Sequence, residues 1–299
     1  MDFILGKTLR HFYFTQDSGL QHRTTVSIEK TEADILIFGA SKANHHYDPR
    51  ILEDSLNMSA YNTGRDGQFV FYQTALLKAA LKRYTPKLII LDFIGTFAYD
   101  QHDYDRLSNL LPYYEDHPEL RDIILLRSPF EKYKMISQIY PYNSMLTTIA
   151  VGNLEFNKHR DFNINYDGYV PLHGVYNKKL DSVRTSLTYE IDDNKINAFE
   201  EFLTLTKQHD IPLVVIYSPI YYLYDRDFSI ELCSKLCQKN GIPFIDFSRD
   251  KEFLKDINLY EDESHLNQVG VEIFTKKVGR IIKQRGLLSN TAADLKSTN

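Results

Sequence analysis

Two hydrophobic rhythms alternate along this chain. Five short apolar runs stand out: DILIFG (34–39), LNMSAYN (56–62), KLIILDF (87–93), PLVVIYS (212–218) and PFIDF (243–247). Runs this short, with little polar alternation, suit strands buried on both faces, as in a parallel sheet. Between them apolar residues recur at helical spacing in QFVFYQTALLKAALKRY (68–84), INAFEEFLTLTKQH (196–209), SIELCSKLCQKN (229–240) and VGVEIFTKKVGRIIKQ (269–284). Ile211-Pro212 and Ile242-Pro243 open the last two strands. Strand followed by helix, repeated, predicts an α/β fold with a central parallel sheet and right-handed crossovers.

The rhythm breaks over 98–190, where LPYYEDHPEL, IYPYNSML and NYDGYVPLHG are rich in Pro, Tyr and Asn, with a helical piece around 120–138. This reads as an insertion after the third strand, packed over the carboxyl edge of the sheet. The organisation expected is one α/β domain over 1–286, with core 31–97 and 196–286 and insertion 98–190. A polar tail, 287–299, is expected to be disordered.

Composition narrows the function. Of 299 residues 43% are hydrophobic and 25% charged, and the net charge is -5. With no Lys/Arg run either, nucleic acid is not an expected partner. No segment reaches the ~20 apolar residues of a membrane span. The start, MDFILGKTLRHFYF, lacks the pattern of a signal peptide; it is a native start or the remainder after loss of an upstream anchor. Cys233 and Cys237 lie four apart on one helix face and read as small packed residues. His45, His46 and Asp48 have no further ligands nearby, so no metal is expected. No GxGxxG follows a strand, so no dinucleotide or other cofactor is expected.

The candidate chemistry begins at ILIFGASKANHHYDP (35–49), where a strand ends in Gly-Ala-Ser. In open α/β sheets ligands bind beyond the carboxyl ends of strands, and Ser41 lies there. A serine on a strand-to-helix turn exposes its hydroxyl; a turn or cap residue is the plainer reading. This is not a GxSxG elbow, because Ala43 replaces the last Gly. Lys42 is adjacent to Ser41 and points elsewhere on a helix. Far along the chain, LYEDESHLNQVG (259–270) holds Asp262 and His265. At three-residue spacing in a tight turn, a carboxylate can hold imidazole Nδ1–H and leave Nε2 free as a base. The plainer reading makes Asp262 and Ser264 helix caps.

Together, GAS after the first strand and DxxHLN before the last helix resemble the SGNH (GDSL-like) hydrolase superfamily over roughly 31–97 and 196–286. The resemblance implies a three-layer α/β/α fold with a central parallel sheet, wound as in flavodoxin, with Ser41 as nucleophile, His265 as base and Asp262 as its orienter, and no metal. NTGRDGQ (62–68) resembles the second family block, which makes Gly67, or less readily Gly64, a backbone donor to the oxyanion beside Ser41 itself. The third block departs: PKLIILDFIGTF (86–97) places Thr96 where the family has an oxyanion Asn, with Asn44 and Asn62 as substitutes. Position alone makes Asn44, His46, Arg65 and Ser218 candidate substrate contacts, with Tyr217, Tyr221, Tyr222 and HGVY (173–176) lining the cleft. FGASKANHHYDP is similar to SGNH-like proteins of bacterial envelopes, including those of gut Bacteroidetes. That likeness implies an exported protein, tethered by a helix outside this sequence, acting as a serine esterase or O-acetyl transferase on an acylated small molecule or polysaccharide. The rival expectation is an SGNH-like scaffold with a degraded oxyanion hole that binds polysaccharide or an envelope partner.

Overall fold

The computed structural model describes residues 1–93, 96–154, 166–178, 190–221 and 228–288. Its centre is a five-stranded parallel sheet of β1 (Ile35–Phe38), β2 (Ala60–Asn62), β3 (Leu88–Asp92), β4 (Leu213–Tyr217) and β5 (Phe244–Asp246), in the order β2-β1-β3-β4-β5. Register is continuous through the middle, with Ile35 opposite both Ala60 and Leu88, and Ile89 opposite Leu213. This is the flavodoxin-like winding, with its switch point between β1 and β3.

Helices in chain order are α1 (Asp2–Phe14), α2 (Gly19–Thr25), α3 (Ser41–His46), α4 (Pro49–Leu56), α5 (Val70–Arg83), α6 (Gln101–Asp105), α7 (Arg121–Leu125), α8 (Glu131–Lys134), α9 (Leu146–Gly152), α10 (Asp193–Gln208), α11 (Phe228–Lys239), α12 (Lys251–Leu254) and α13 (Gln268–Gln284). Side chains alternate along each strand and so feed two cores. Leu36, Phe38, Ile89, Leu91 and Val215 pack with α5, α10 and α11; Ile35, Ile37, Ile90, Val214 and Ile216 pack with α4 and α13. The three layers follow from that alternation.

Four differences from the sequence-based expectation have local causes. LNMSAYN is not all strand: Leu56 ends α4, Asn57 turns the chain in the left-handed region (φ 54), and pairing starts at Ala60. Helix α4 begins with Asp48 capping the Arg50 N–H and Pro at the first turn, signals that stand in the sequence. The helical piece near 120–138 is divided into a 3-10 turn, α7 and α8. The first half of the insertion buries Leu107, Leu110, Leu111, Ile123 and Ile124 in the α5–α10 core, together with Tyr13 of α1. A later piece, 166–176, crosses the carboxyl edge: Asn62 N–H donates to Asp167 O (2.8 Å), Val170 N–H to Asn44 O (3.1 Å) and Tyr176 N–H to Tyr260 O (2.7 Å). Residues 289–299 of the expected tail lie outside the described residues. Cys233 and Cys237 are buried free thiols, and burial pushes the Cys233 thiol up. No described helix is long and apolar enough to cross a membrane.

Candidate active site

Strand β1 ends at Phe38, and Gly39 turns the chain at φ +153. A Cβ there would come within 2.5 Å of the Ala43 Cβ, so glycine allows α3 to start close against the sheet end. Ser41 is the first residue of α3. From the other side, the loop before α13 folds back through Tyr260 and Leu266, which pair as an antiparallel bridge. Asn267 caps α13 by accepting from Val269 and Gly270 N–H, and its Nδ2 donates to Asn258 O (2.7 Å). The loop between is therefore fixed at both ends.

That loop delivers His265 to Ser41. His265 Nε2 lies 2.8 Å from Ser41 Oγ. His265 Nδ1 lies 2.8 Å from Asp262 Oδ2 and 3.1 Å from Oδ1. Asp262 Oδ1 also accepts from the backbone N–H of Ser264 (2.8 Å) and His265 (2.9 Å) and from Ser264 Oγ (3.0 Å). Asp262 is thus both turn cap and histidine partner; the two readings of its spacing coexist. Partial burial would push its carboxyl up, but the bonds from His265 and Ser264 outweigh that and hold it well below the usual carboxylate range. An ionised carboxylate on Nδ1–H leaves Nε2 unprotonated and aimed at the serine hydroxyl.

Behind α3 lies a buried network. His46 is fully buried, its Nε2 accepts the Leu266 N–H (2.9 Å), and its Nδ1 meets Ser218 Oγ (3.1 Å). Those partners place the proton on Nδ1. Burial, then the charges of Lys42 and His265, push the His46 imidazole well below its ordinary value. Lys42 donates to Ser218 O (3.0 Å) with its Nζ 4.2 Å from the Tyr217 ring centre, so it points away from Ser41. Burial lowers Lys42 to about 8 against the pull of Asp92 and Asp246. Asp92 is itself fully buried and accepts from Tyr47 OH (2.6 Å). Burial raises its carboxyl, partly offset by Lys42, Tyr47 and Ser218.

The other expected site residues are dispersed. Gly67 sits in the turn after β2 in the left-handed region (φ +67), facing the Arg106 guanidinium. Gly64 packs against α3, where a Cβ would lie 2.5 Å from Asn44 N. Thr96 Oγ1 accepts from Ala98 N–H (2.9 Å) and meets Ser229 Oγ (3.3 Å); no bond among the described residues ties it to Ser41. Asn62 Nδ2 donates to Ala43 O (2.7 Å) and Tyr47 O (2.9 Å), so it fastens α3 to β2. Asn44 accepts from Arg23 and donates to Asp66 Oδ1 (2.8 Å). Arg65 is buried, bonded to Thr24 and to Asn109 Oδ1 (2.8 Å), and joins α2 to the insertion. Ser218 is fully buried in the network above. Tyr176 meets Tyr221 edge to face near Tyr260 beside the histidine loop, and Tyr221 N–H donates to Glu263 O (2.9 Å). Tyr222 lies outside the described residues. No group of three metal-ligating side chains occurs among the described residues.

A cavity of about 550 Å³ opens beside α3, lined by residues of α2, α9 and the 170–172 segment together with Arg23, Asn44, His45 and Asp66. Arg23, His45 and Asp66 were not singled out as functional by sequence reasoning. Asp66 stood within NTGRDGQ, but Arg23 belongs to a helix with no motif to flag it.

No family model matches the chain. No curated protein matches it either. Among solved structures, one from Bacteroides fragilis described as a presumed acylhydrolase is similar at a TM-score of 0.43 and 12% identity, over 89% of this chain and 97% of that one.

Proposed function

We propose that this chain is a serine esterase or O-acyl transferase of the SGNH-like type. Ser41 attacks the carbonyl of an acyl ester while His265 Nε2 takes its proton; Asp262 holds the imidazole and stabilises the cation that forms. His265 then protonates the leaving alkoxide, and an acyl-serine remains. Water or a sugar hydroxyl, deprotonated by the same imidazole, releases the acyl group. The N–H groups of Ser41 and Gly67 are the proposed oxyanion donors. The reading rests on one observation, the unbroken relay from Ser41 Oγ through His265 to Asp262 with 2.8 Å at each step.

The rival reading, a binding scaffold, draws on Thr96, whose hydroxyl is engaged with Ala98 and Ser229. Turnover separates them. Wild type is expected to hydrolyse 4-nitrophenyl acetate, and Ser41→Ala to lose about 10³-fold or more in kcat. Equal rates in the two proteins would remove the esterase reading. A burst followed by slow turnover that an added sugar accelerates would mark a transferase.

A further inference from the structure

The cavity beside α3 holds two opposite charges that do not pair with each other. Neither Ser41 nor His265 lines it, so its ligand is read from its own walls. Its volume, about 550 Å³, falls within the ~300–1,000 Å³ of small-molecule sites.

Arg23 is the cation. It is only 7% exposed, and it lines the cavity. Its Nη2 donates to Asn44 Oδ1, Gly64 O (2.7 Å) and Gly168 O (2.8 Å). Its Nε is buried without a partner. Its Nη1 has no partner among the described residues either, but is not occluded, and the cavity is where Arg23 meets open space. No carboxylate among the described residues bonds to this guanidinium; Asp66 acts on it only through space. A buried charge without a counter-ion is unfavourable, and an anionic group brought by a ligand would offset that.

Asp66 is the anion. Its Oδ1 accepts from Asn44 Nδ2 (2.8 Å) and faces His45 Nε2 at 3.4 Å, while His45 Nδ1 donates to Val170 O (2.7 Å). Its Oδ2 accepts from no described residue. Burial would raise this carboxyl, but His45, Asn44 and Arg23 hold it at about 2, so it is ionised. The Asn44 side-chain amide stands between the two charges, its Oδ1 on Arg23 and its Nδ2 on Asp66. A plain anion on Arg23 would meet the Asp66 carboxylate, and a plain cation on Asp66 would meet Arg23. A ligand carrying both charges complements both. With a single amide between the two groups, the ligand's charges belong close together, as on one carbon atom. Around this polar end Leu20, Val151, Val170 and Leu172 supply an apolar wall.

We infer that this cavity binds an α-amino acid with a large apolar side chain, its carboxylate on Arg23 Nη1 and its ammonium on Asp66 Oδ2. The assignment does not depend on the esterase reading, and its test is binding rather than turnover. Calorimetry on the full chain would compare L-phenylalanine with 3-phenylpropionate, which lacks the ammonium, with phenethylamine, which lacks the carboxylate, and with glycine, which lacks the side chain. Phenylalanine is expected to saturate in the millimolar range or below, and each of the other three to bind about tenfold or more weakly, one interaction's worth. Asp66→Asn should weaken phenylalanine by about tenfold and leave 3-phenylpropionate no weaker, because it removes an attraction for one and a repulsion for the other. Arg23→Gln should weaken both carboxylates by about tenfold and spare phenethylamine. Arg23 also ties Gly64 and Gly168, so thermal melts accompany that variant; the half-exposed Asp66 keeps the test decisive if Arg23→Gln does not fold. Absence of phenylalanine saturation, an analogue binding as tightly as phenylalanine, or indifference of phenylalanine to Asp66→Asn would overturn the assignment. Tighter binding of 3-phenylpropionate than of phenylalanine would mark a plain anion site and overturn it too.

Discussion

The two faces of α3 differ in kind. One presents Lys42 and His46 to a buried interior of charged and polar groups, among them Asp92, Tyr47 and Ser218. The other presents Ser41, Asn44 and His45 to the histidine loop and the cavity. One short helix thus fixes with one face and, on the proposed reading, acts with the other. His46 joins the two functions, because its Nε2 holds the N–H of Leu266, next in sequence to His265. Ser41 and His265 are anchored to the same helix, one directly and one through a buried imidazole. A pair held this way needs no rearrangement to bring Ser41 Oγ and His265 Nε2 together.

Breaking the acting face has the largest expected effect. Asp262→Asn keeps an acceptor and the turn but removes the charge that orders His265. It is expected to lower kcat on a simple ester by about 10³–10⁴ while leaving the melting temperature nearly unchanged, because Asp262 is half exposed. Steady-state kinetics beside thermal melts check this. A large fall in melting temperature would show that Asp262 belongs to the fixing side.

Breaking the fixing face should do the reverse. His46→Leu strands the buried N–H of Leu266 and removes the donor to Ser218 Oγ, at a cost of about 1–3 kcal/mol in stability. Activity should fall only about tenfold, through looser placement of His265, because no reacting group is removed. Denaturant unfolding and kcat measured on the same preparation test the pairing of a large stability loss with a modest rate loss.

The smallest effect is electrostatic and falls on the cavity. Asp66 is held at about 2, below its ordinary 3.8. A depressed carboxyl stabilises the fold fully above the unfolded value and loses that contribution as pH falls through the folded one. Wild type should therefore lose melting temperature faster than Asp66→Asn between pH 3.8 and about 2, and the two should run parallel above that window. The difference should be small, since the Asp66 side chain is 52% exposed.

Much of this architecture was legible in the chain. The apolar runs marked all five strands, and the helical spacing marked α5, α10, α11 and α13 to within a few residues. Ser41 and His265 could be singled out because strand ends and turn spacing are local signals. The N-terminal helices were not foreseen, because α1 has apolar residues on several faces, with Phe3 and Ile4 exposed and Tyr13 buried. The fixing network was illegible for another reason. His46, Ser218, Asp92 and Leu266 are far apart in sequence, and only the sheet order brings β3 and β4 beneath α3. Arg65 and Ser218, taken as substrate contacts from position, are instead buried in structural bonds, since position beyond a strand does not say which way a side chain turns.

The central claim is that His265 activates Ser41. Intact-mass analysis after exposure to a fluorophosphonate, on wild type and on Ser41→Ala, addresses it most directly. One adduct is expected on wild type, mapped to Ser41 and absent from the variant. A well-folded wild type that takes no adduct, or a variant that still takes one, would contradict it.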